Sequence, residues 1–308
     1  MTNGIIVDCD PGVDDAIALL LAFGTNLPIR GITTVAGNVP LHLTANNARK
    51  ICALAGKSDI PIHAGCPRPL LRPLATAEEI HGASGLQGAD FPVPTVPLQP
   101  VHSVDYLTQQ LLEAEEPLTI AALGPLTNLA IALIQRPELA ERIAQLVLMG
   151  GSVGQGNITP SAEFNMYVDP HAAQVVLAAN IPTVLITLDT THQVLTTPAR
   201  LDAIRSIGNS VSEAAVGMLS FYGQRDLELY DLPGAPLHDP CVMAYLAQPE
   251  LFTTRRVKVM VETSGEHTMG RTVVDWHGSG EGSSVQVVDT VDVDGFYRLL
   301  DSALSSFS

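Results

Sequence analysis

The hydrophobic pattern of the chain alternates between short apolar runs and longer stretches with helical spacing. Ile5, Ile6 and Val7 form the first apolar run, and the residues from Asp14 to Phe23 have a nearly continuous apolar helical face. Such alternation is typical of parallel strands covered by helices. The sequence therefore predicts an α/β fold with a mainly parallel wound sheet flanked by helices, a Rossmann-like arrangement.

The same pattern gives approximate bounds for the other elements. The strands predicted after the first run are 28–37, 60–64, 118–123, 146–149 and 183–188. The helices predicted after 14–23 are 40–55, 101–115, 129–135, 169–179, 198–207, 210–229, 241–247 and 293–304. The runs 255–262, 271–275 and 285–289 predict a C-terminal β extension arranged as a hairpin or meander. No internal repeat or clear linker interrupts the sequence, so residues 1–308 are predicted to form a single domain.

One long segment departs from this pattern. Residues 65–100 are rich in Pro, Gly and Ala and contain seven prolines. This composition predicts a long irregular segment at the surface. Long irregular segments in compact enzymes often form lids or walls of a site. His81, next to Gly82 in this segment, could face a ligand or be an exposed loop histidine.

Composition and charge narrow the range of partners. Hydrophobic residues make up 46% of the 308 residues and charged residues 16%. The formal net charge is −16, from 16 basic and 32 acidic side chains. Binding to nucleic acid or to an anionic membrane requires clusters of Lys and Arg, so neither partner is expected. The low density of charge is consistent with a homo-oligomer.

The N-terminus and the cysteines bear on the cellular compartment. Met1 to Gly4 carry no basic leader region, and the apolar helix 16–23 is too short to span a bilayer. A cytoplasmic protein is therefore expected. The four cysteines contain no C-x-x-C pair and are expected to be small buried side chains rather than a disulfide framework.

The candidate chemistry is concentrated where the first strand meets the first helix. Asp8, Asp10, Asp14 and Asp15 lie in the sequence D-C-D-P-G-V-D-D. The C-terminal edge of the strands is where ligands bind in open α/β sheets. Carboxylates this close repel one another unless a cation lies among them, and oxygen ligands favour a hard divalent ion, Ca²⁺ or Mg²⁺. Asp8 and Asp10, two apart on a strand, are not expected both to face the core. The alternative is that Asp14 and Asp15 cap the helix while Asp8 and Asp10 are solvated.

Polar residues also follow other predicted strands. Asn38 comes after the second strand, and Asn157, Glu163 and Asn165 surround Phe164 in a loop rich in Gly and Ser. Asn157, Glu163 and Asn165 can together form hydrogen bonds with several hydroxyl groups at once, as binding of a sugar requires. Alternatively, Asn38 caps a helix and the loop residues form a solvated turn.

Together the strand ends supply the groups that a hydrolase needs. A divalent ion lowers the pKa of water, a carboxylate can accept a proton, and a histidine with an ordinary pKa can protonate a leaving group at neutral pH. A cation beside a sugar would orient the ring and the water for attack at the anomeric carbon. The candidates are Asp10, Asp15 and Asp239 for the ion, Asp14 as the spare carboxylate, and His81 and His238 as the histidines.

Seven motifs occur in a fixed order between Gly4 and Pro240. They are D-C-D-P-G-V-D-D at 8–15, V-A-G-N at 35–38, I-H-G at 80–82, G-P-L-T-N at 124–128, M-G-G at 149–151, N-I-T-P-S-A-E-F-N at 157–165 and H-D-P at 238–240. This set resembles the signature of the ribonucleoside hydrolases, the inosine-uridine-preferring family. The match covers most of the chain and is far more specific than the first motif alone.

The resemblance implies calcium-dependent hydrolysis of the N-glycosidic bond of ribonucleosides to ribose and free base, with one Ca²⁺ per chain. Asp14 would be the general base that activates the water. Asp8 would hold the metal ligands in place without contacting the ion itself. Family members commonly carry Thr in place of Leu123, a change that a backbone carbonyl ligand tolerates. The implied calcium ligands are Asp10, Asp15, the backbone carbonyl of Leu123 and Asp239.

The resemblance also implies the substrate contacts and the assembly. His81 and His238 would face the base, and His238 is the candidate acid for the leaving group. Homodimers or homotetramers and a role in nucleoside salvage are implied as well. The residues implied near the sugar are Asn38, Met149, Asn157, Glu163, Phe164 and Asn165. In segment 221–236 the candidates for base recognition are Tyr222, Gln224 and Tyr230.

Two other functions are compatible with parts of this pattern. A phosphatase of the haloacid dehalogenase type also begins with an apolar strand and D-x-D, with Asp8 as the nucleophile and Mg²⁺ as the ion, but Pro11-Gly12 and the added Asp14-Asp15 fit it poorly. A non-catalytic calcium-dependent nucleoside-binding protein would use the same ligands. It would not need Asp14 as a base or His238 as an acid.

Overall fold

A computed structural model describes residues 4–94, 96–230, 232–278 and 281–307; the side chains of residues 223–230 lie outside this description. The strands are β1 (Ile5–Cys9), β2 (Ile29–Thr34), β3 (Ile62–Ala64), β4 (Leu98–Gln99), β5 (Leu118–Ala122), β6 (Ile143–Met149), β7 (Thr183–Ile186), β8 (Leu195–Thr196), β9 (Ala235–Pro236), β10 (Phe252–Arg256), β11 (Lys258–Val261), β12 (Thr272–Asp275) and β13 (Val285–Val291). The helices are α1 (Val13–Gly24), α2 (Leu41–Leu54), α3 (Glu78–His81), α4 (Ser103–Glu113), α5 (Thr127–Gln135), α6 (Phe164–Val168), α7 (Pro170–Ala178), α8 (Leu188–Thr191), α9 (Pro198–Ile207), α10 (Ser210–Tyr230), α11 (Pro240–Ala247) and α12 (Val293–Ser305).

Nine of the described strands form one sheet in the order β10-β13-β7-β6-β5-β1-β2-β3-β4. Strand β1 is central and runs parallel to both β2 and β5. The chain first adds β2, β3 and β4 on one side of β1 and then returns to add β5, β6 and β7 on the other. The strand order therefore reverses beside β1, and such a reversal opens a crevice at the C-terminal ends of the strands. The predicted fold class is confirmed.

The strands of the predicted C-terminal β extension divide between two sheets, a division that the sequence pattern did not predict. Strand β13 pairs parallel to β7 and antiparallel to β10, so both extend the main sheet. Strands β11 and β12 pair with each other as a small antiparallel sheet. Burial explains the difference: Val285, Val287 and Val288 are all buried, as in a covered strand, whereas β11 alternates exposed and buried residues.

Two apolar cores cover the faces of the sheet. Alternation along β1 sends Ile5, Val7 and Cys9 to one core and Ile6 to the other. Helix α1 packs in the first core and is buried from Val13 through Phe23, which explains its continuous apolar pattern. All four cysteines lie in the described residues and are buried and unpaired, as predicted.

The Pro-rich segment 65–100 is less irregular than its composition predicts. It contains the short helix α3, and β4 pairs parallel to β3 at the edge of the main sheet. Its apolar side chains include some that are exposed, such as Leu71 and Val93. Over the ranges that the structure describes, no helix has both the length and the apolar character needed to cross a membrane.

Candidate active site

The turn between β1 and α1 is closed by the side chain of Asp15. Pro11 and Gly12 end the strand, and Asp15 lies in the first turn of α1. Its Oδ2 accepts a hydrogen bond from the backbone N–H of Gly12 at 2.9 Å, and its Oδ1 accepts one from that of Asp10 at 3.2 Å. The bond from Gly12, the N-cap residue of α1, pairs an N–H group that a helix start leaves without a partner. The D-x-D-P-G-x-D-D pattern thus folds its carboxylates onto one another.

Asp8 and Asp10 are both buried, so the expectation that they could not both face inward is wrong. Asp8 Oδ1 accepts hydrogen bonds from Thr33 Oγ1 at 2.6 Å and from Asn128 Nδ2 at 2.8 Å. Residues two apart on a strand share a face, and Asp10, just beyond the end of β1, is also held in a buried position: its Oδ2 accepts a bond from the backbone N–H of Asn38 at 2.7 Å. These bonds offset part of the desolvation cost.

Three buried carboxylates converge beside this turn. One oxygen each from Asp14, Asp15 and Asp239 can be chosen so that all lie within 4.8 Å of one another, although Asp239 comes from the start of α11. Asp10 lies outside this closest set but is joined to it by its hydrogen bond with Asp15. The structure therefore brings Asp14 closer to the cluster than the sequence alone indicated.

Burial and mutual repulsion disfavour the charged form of these carboxylates. Burial, followed by the charge of Asp15, raises the pKa of Asp14 to about 8. The pKa of Asp10 is raised well above its ordinary value by burial and then by Asp15. Burial also raises the pKa of Asp239 well above its ordinary value, with Asp14 the next cause, and burial raises the pKa of Asp15. A cation among them would favour the ionised forms.

The donor set fits a hard divalent cation. Asp10 Oδ1 is buried and has no hydrogen-bond partner among the described residues, so its lone pairs are available to a ligand. The backbone carbonyl of Leu123, at the end of β5, accepts a hydrogen bond from Asn165 Nδ2 at 2.7 Å and keeps a second lone pair. Carboxylate and carbonyl oxygens are the ligands that calcium and magnesium prefer. The acidic cluster can therefore bind a metal ion.

A cavity of about 150 Å³ opens beside the cluster. Asp8, Asp10 and Asp15 lie outside its wall. The predicted residues that line it are Asp14, Asn38, His81, Leu123, Met149, Asn157, Glu163, Phe164, Asn165, Tyr222, His238 and Asp239. Most of the predicted site is thus gathered around one space, although its members come from eight separate stretches of the chain.

Hydrogen bonds hold the polar wall of the cavity, which includes Glu163 and Asn165. Glu163 caps α6, and its carboxylate accepts backbone N–H bonds from Gly151 at 2.8 Å and Asn165 at 2.9 Å. Burial raises the pKa of Glu163, opposed by these bonds. Asn165 Nδ2 also donates to the backbone carbonyl of Met149 at 3.2 Å. Asn165 therefore ties the end of β6 to the end of β5.

Asn38 and Asn157 have local partners as well. Asn38 Nδ2 donates to Asp15 Oδ2 at 3.1 Å, so this amide is joined to the acidic cluster. Asn157 Oδ1 accepts a bond from the backbone N–H of Phe164 at 2.9 Å. Because the side-chain Nδ2 of Asn38 donates to Asp15, the side-chain Oδ1 is the atom that can accept a hydrogen bond from a ligand in the cavity.

The two predicted histidines lie on the cavity wall in buried positions. His81 Nδ1 accepts a hydrogen bond from the backbone N–H of Val13 at 3.1 Å and is 3.9 Å from Asp14 Oδ1. His238 Nδ1 is 2.7 Å from Thr191 Oγ1. Burial lowers the pKa of His81 to about 3, and burial followed by the neighbouring histidines lowers that of His238 to about 3. The expectation of an ordinary histidine pKa is wrong here, because desolvation favours the neutral rings.

The base-recognition candidates on α10 are described only in part. Tyr222 is buried, and the centroid of its ring lies 5.3 Å from that of His81. The side chains of Gln224 and Tyr230 lie outside the described residues. Tyr222 thus forms part of the same cavity wall as His81.

Sequence reasoning missed several residues that shape the site. Asn128 was identified only as the last residue of the G-P-L-T-N motif, yet its side chain holds Asp8, and Thr191 holds His238. Their positions after β5 and β7 are the signal that could have identified them, because strand ends gather at one edge of the sheet. Further residues on the cavity wall are Thr76, Ala77, Glu79, Ile80 and Ile158.

The chain is similar to a known protein family over nearly its whole length. Residues 5–298 match the family of inosine-uridine preferring nucleoside hydrolases. The chain belongs to this family. It is therefore an enzyme, an N-glycosyl hydrolase that acts on ribonucleosides. The phosphatase alternative is excluded, since the match includes the complete ordered set of motifs.

Relatives of this nucleoside hydrolase match it over the full length. The pyrimidine-specific ribonucleoside hydrolase RihA of Shewanella woodyi is 43% identical over 313 residues, covering 100% of both chains. The protein of the same name from Escherichia coli O81 is 43% identical over 312 residues, again covering 100% of both. A solved structure of a purine-preferring ribonucleoside hydrolase from Gardnerella vaginalis has a TM-score of 0.92 at 29% identity and 98% coverage of each chain.

Proposed function

We propose that this nucleoside hydrolase cleaves pyrimidine ribonucleosides to ribose and free base in a calcium-dependent reaction. The observation that carries the proposal is the buried acidic cluster of Asp14, Asp15 and Asp239 beside a cavity with a polar wall. The preference for pyrimidines is supported by full-length similarity to RihA at 43% identity.

The calcium site would be formed by Asp10, Asp15, Asp239 and the backbone carbonyl of Leu123. Buried Asp10 Oδ1, which has no hydrogen-bond partner within the part of the chain that the structure describes, supports this assignment. Asn38 and Asn165 would orient these ligands. Asn38 donates a hydrogen bond to Asp15, and Asn165 donates one to the Leu123 carbonyl. When bound, a divalent ion would lower the pKa of water and anchor sugar oxygens.

Asp14 would act as the general base and accept the proton of the attacking water. Its carboxylate lines the cavity beside Asp15 and Asp239, at the start of a buried and well-packed helix. A base must lie within hydrogen-bond reach of the proton that it removes, and a fixed helix start supplies that precision. Asp8, held by Thr33 and Asn128 behind the turn, would support the geometry without touching the substrate.

The polar wall would hold the ribose. Both oxygens of Glu163 accept backbone N–H bonds, which keeps the carboxylate in one orientation while it can also accept from a hydroxyl group. Met149 and Phe164 would pack against the sugar. The side chains proposed to form hydrogen bonds with the ribose hydroxyls are Asn38, Asn157, Glu163 and Asn165.

The base would lie at the end of the cavity lined by His81, Tyr222 and His238. A neutral imidazole can donate an N–H to a base on which negative charge develops as the glycosidic bond breaks. His238 is the candidate for this role, since Thr191 engages its Nδ1 and leaves Nε2 for the leaving group. Stabilisation of developing charge by positioned donors is often the largest contribution to catalysis.

The activity is tested by base release. Purified protein is incubated with uridine and, separately, with inosine, with calcium or with a chelator present, and free base is quantified. We expect uracil release that is faster than hypoxanthine release and that stops when calcium is removed. Absence of base release from every common ribonucleoside in the presence of calcium would contradict the proposal.

We also propose that residues 1–308 act as a single catalytic domain within a cytoplasmic homodimer or homotetramer. The main sheet supports a single domain, because it joins β1, the first described strand, to β13, the last one. Met260 and Val273 are paired across β11 and β12 and are 51% and 41% exposed, which supports burial between subunits. Light scattering coupled to size-exclusion chromatography tests the assembly, and a monomeric mass at micromolar concentration would contradict it.

A further inference from the structure

The segment that carries His81 touches helix α10 through two glycines. Gly88 lies in the loop that follows α3, and Gly217 lies in α10. A Cβ atom on Gly217 would be 2.2 Å from the carbonyl oxygen of Gly88, and one on Gly88 would be 2.3 Å from that of Gly217. Ordinary contact begins at 3.4 Å, so neither position accepts a side chain unless the two backbones separate.

The opposite side of the His81 segment is fixed to the turn before α1. Asn47 Nδ2 donates to the carbonyls of Ser84 at 2.8 Å and Pro11 at 3.0 Å, so one amide joins the loop to that turn. The bond between Val13 and His81 reinforces the same junction. The segment is therefore held between the start of α1 and the surface of α10.

Helix α10 contributes both Gly217, at this contact, and a residue of the cavity wall. Tyr222 follows Gly217 in the same helix, and its ring faces that of His81 with 5.3 Å between centroids. Both side chains line the cavity. Because His81 is fixed on one side, its distance from Tyr222 depends on how closely α10 approaches the loop. Gly88 has a φ of +101°, a conformation that favours glycine, which agrees with a position built for close approach.

We propose that Gly88 and Gly217 are positioning residues that determine which nucleosides the enzyme accepts. Their contact brings α10 close enough to the His81 segment for the end of the cavity to fit a single-ring base. The inference rests on the proposed function, in which the base lies between His81 and Tyr222. Neither glycine touches the substrate. The proposed metal ligands and ribose contacts lie on other segments. The contact between Gly88 and Gly217 should therefore affect only the binding of the base.

The variant Gly217→Ala tests this proposal, with Ser220→Ala, at an exposed position of the same helix, as the matched control. For each protein, kcat and KM are measured for uridine and for inosine, together with inhibition by ribose and calcium affinity by calorimetry. In Gly217→Ala the ratio of kcat/KM for uridine to that for inosine should fall roughly tenfold, through KM for uridine, as expected for a misfitted pocket. Ribose inhibition and calcium affinity should not change, and Ser220→Ala should match the wild type.

An unchanged ratio, or equal losses for uridine, inosine and ribose, would overturn the inference while leaving the hydrolase activity of the wild type in place. Failure of the wild type to release any base would instead defeat the proposed function, and the inference with it. If Gly217→Ala does not fold, Gly88→Ala applies the same steric pressure from the exposed loop, and the same selectivity change is required of it.

Discussion

His81 Nδ1 accepts a hydrogen bond at 3.1 Å from the backbone N–H of Val13, a residue 68 positions earlier in the chain. Because a backbone N–H can only donate, Nδ1 carries no proton, and the neutral ring holds its proton on Nε2. The bond also pairs one of the N–H groups that the first turn of α1 leaves free. The same side chain therefore caps the central helix and lines the cavity.

The first prediction concerns the stability that His81 provides. His81→Ala should lower the free energy of unfolding by about 1–3 kcal/mol, since the Val13 N–H remains buried without an acceptor. Urea denaturation measures the change, and His42→Ala, at an exposed histidine, is the control. Nitrogen-15 NMR of the wild type should show the Nε2-protonated tautomer of His81. A ring protonated on Nδ1 would contradict the assignment.

Asp14 is predicted to act on the water rather than on the metal. Asp14→Asn should retain calcium affinity by calorimetry and lose at least roughly 10²-fold in kcat, which is typical when a general base is removed. The position of Asp14 among the closest carboxylates makes the calcium measurement decisive. If the variant loses calcium, Asp14 is a ligand and its role as the base is wrong.

His238 is predicted to serve the leaving base. His238→Ala should reduce kcat for uridine much more than for an activated aryl riboside, whose leaving group needs no hydrogen-bond donor. Thr191→Val should cause a smaller loss with the same selectivity, because it frees the ring that Thr191 holds at 2.7 Å. Equal losses on both substrates would refute the role.

Asn128 is predicted to be a structural support of the acidic turn. Its Nδ2 donates to Asp8 Oδ1 and to the Thr34 carbonyl, and its Oδ1 accepts from the Cys66 N–H. Asn128→Ala should cost roughly 2 kcal/mol or more in unfolding free energy, since several buried groups lose partners. Thermal and urea unfolding provide the measurement, and Gln109→Ala, at an exposed position, should be neutral. A neutral Asn128→Ala would show that Asp8 needs no such support.

The fold was predictable because local patterns determine it. Apolar runs such as Ile5 to Val7, alternating with amphipathic helices, define the parallel core, and the bounds of most elements agree with the structure. The C-terminal strands were predicted, but the sheet that each one joins was not, since pairing between β13 and β7 depends on contacts distant in sequence. Spacing along the chain does not record such contacts.

The candidate site was predictable as a set of residues but not as an arrangement. Strand-end positions and the resemblance to the family together identified the residues that gather around the cavity. Burial of both Asp8 and Asp10, and the lowered pKa values of His81 and His238, arise from packing by remote segments. The supporting contacts of Asn128 and Thr191 were missed for the same reason.

The most direct test of the central claim is a calcium titration of chelator-treated enzyme, followed by calorimetry and by uracil release from uridine in the same samples. Wild-type protein should bind one ion per chain and regain activity in proportion to occupancy. Asp10→Asn should lose both together, because it alters the buried carboxylate whose Oδ1 lacks a hydrogen-bond partner in the described ranges. Asp59→Asn, at an exposed position, should lose neither. Full activity of the calcium-free wild type, or normal calcium affinity and turnover in Asp10→Asn, would contradict the account.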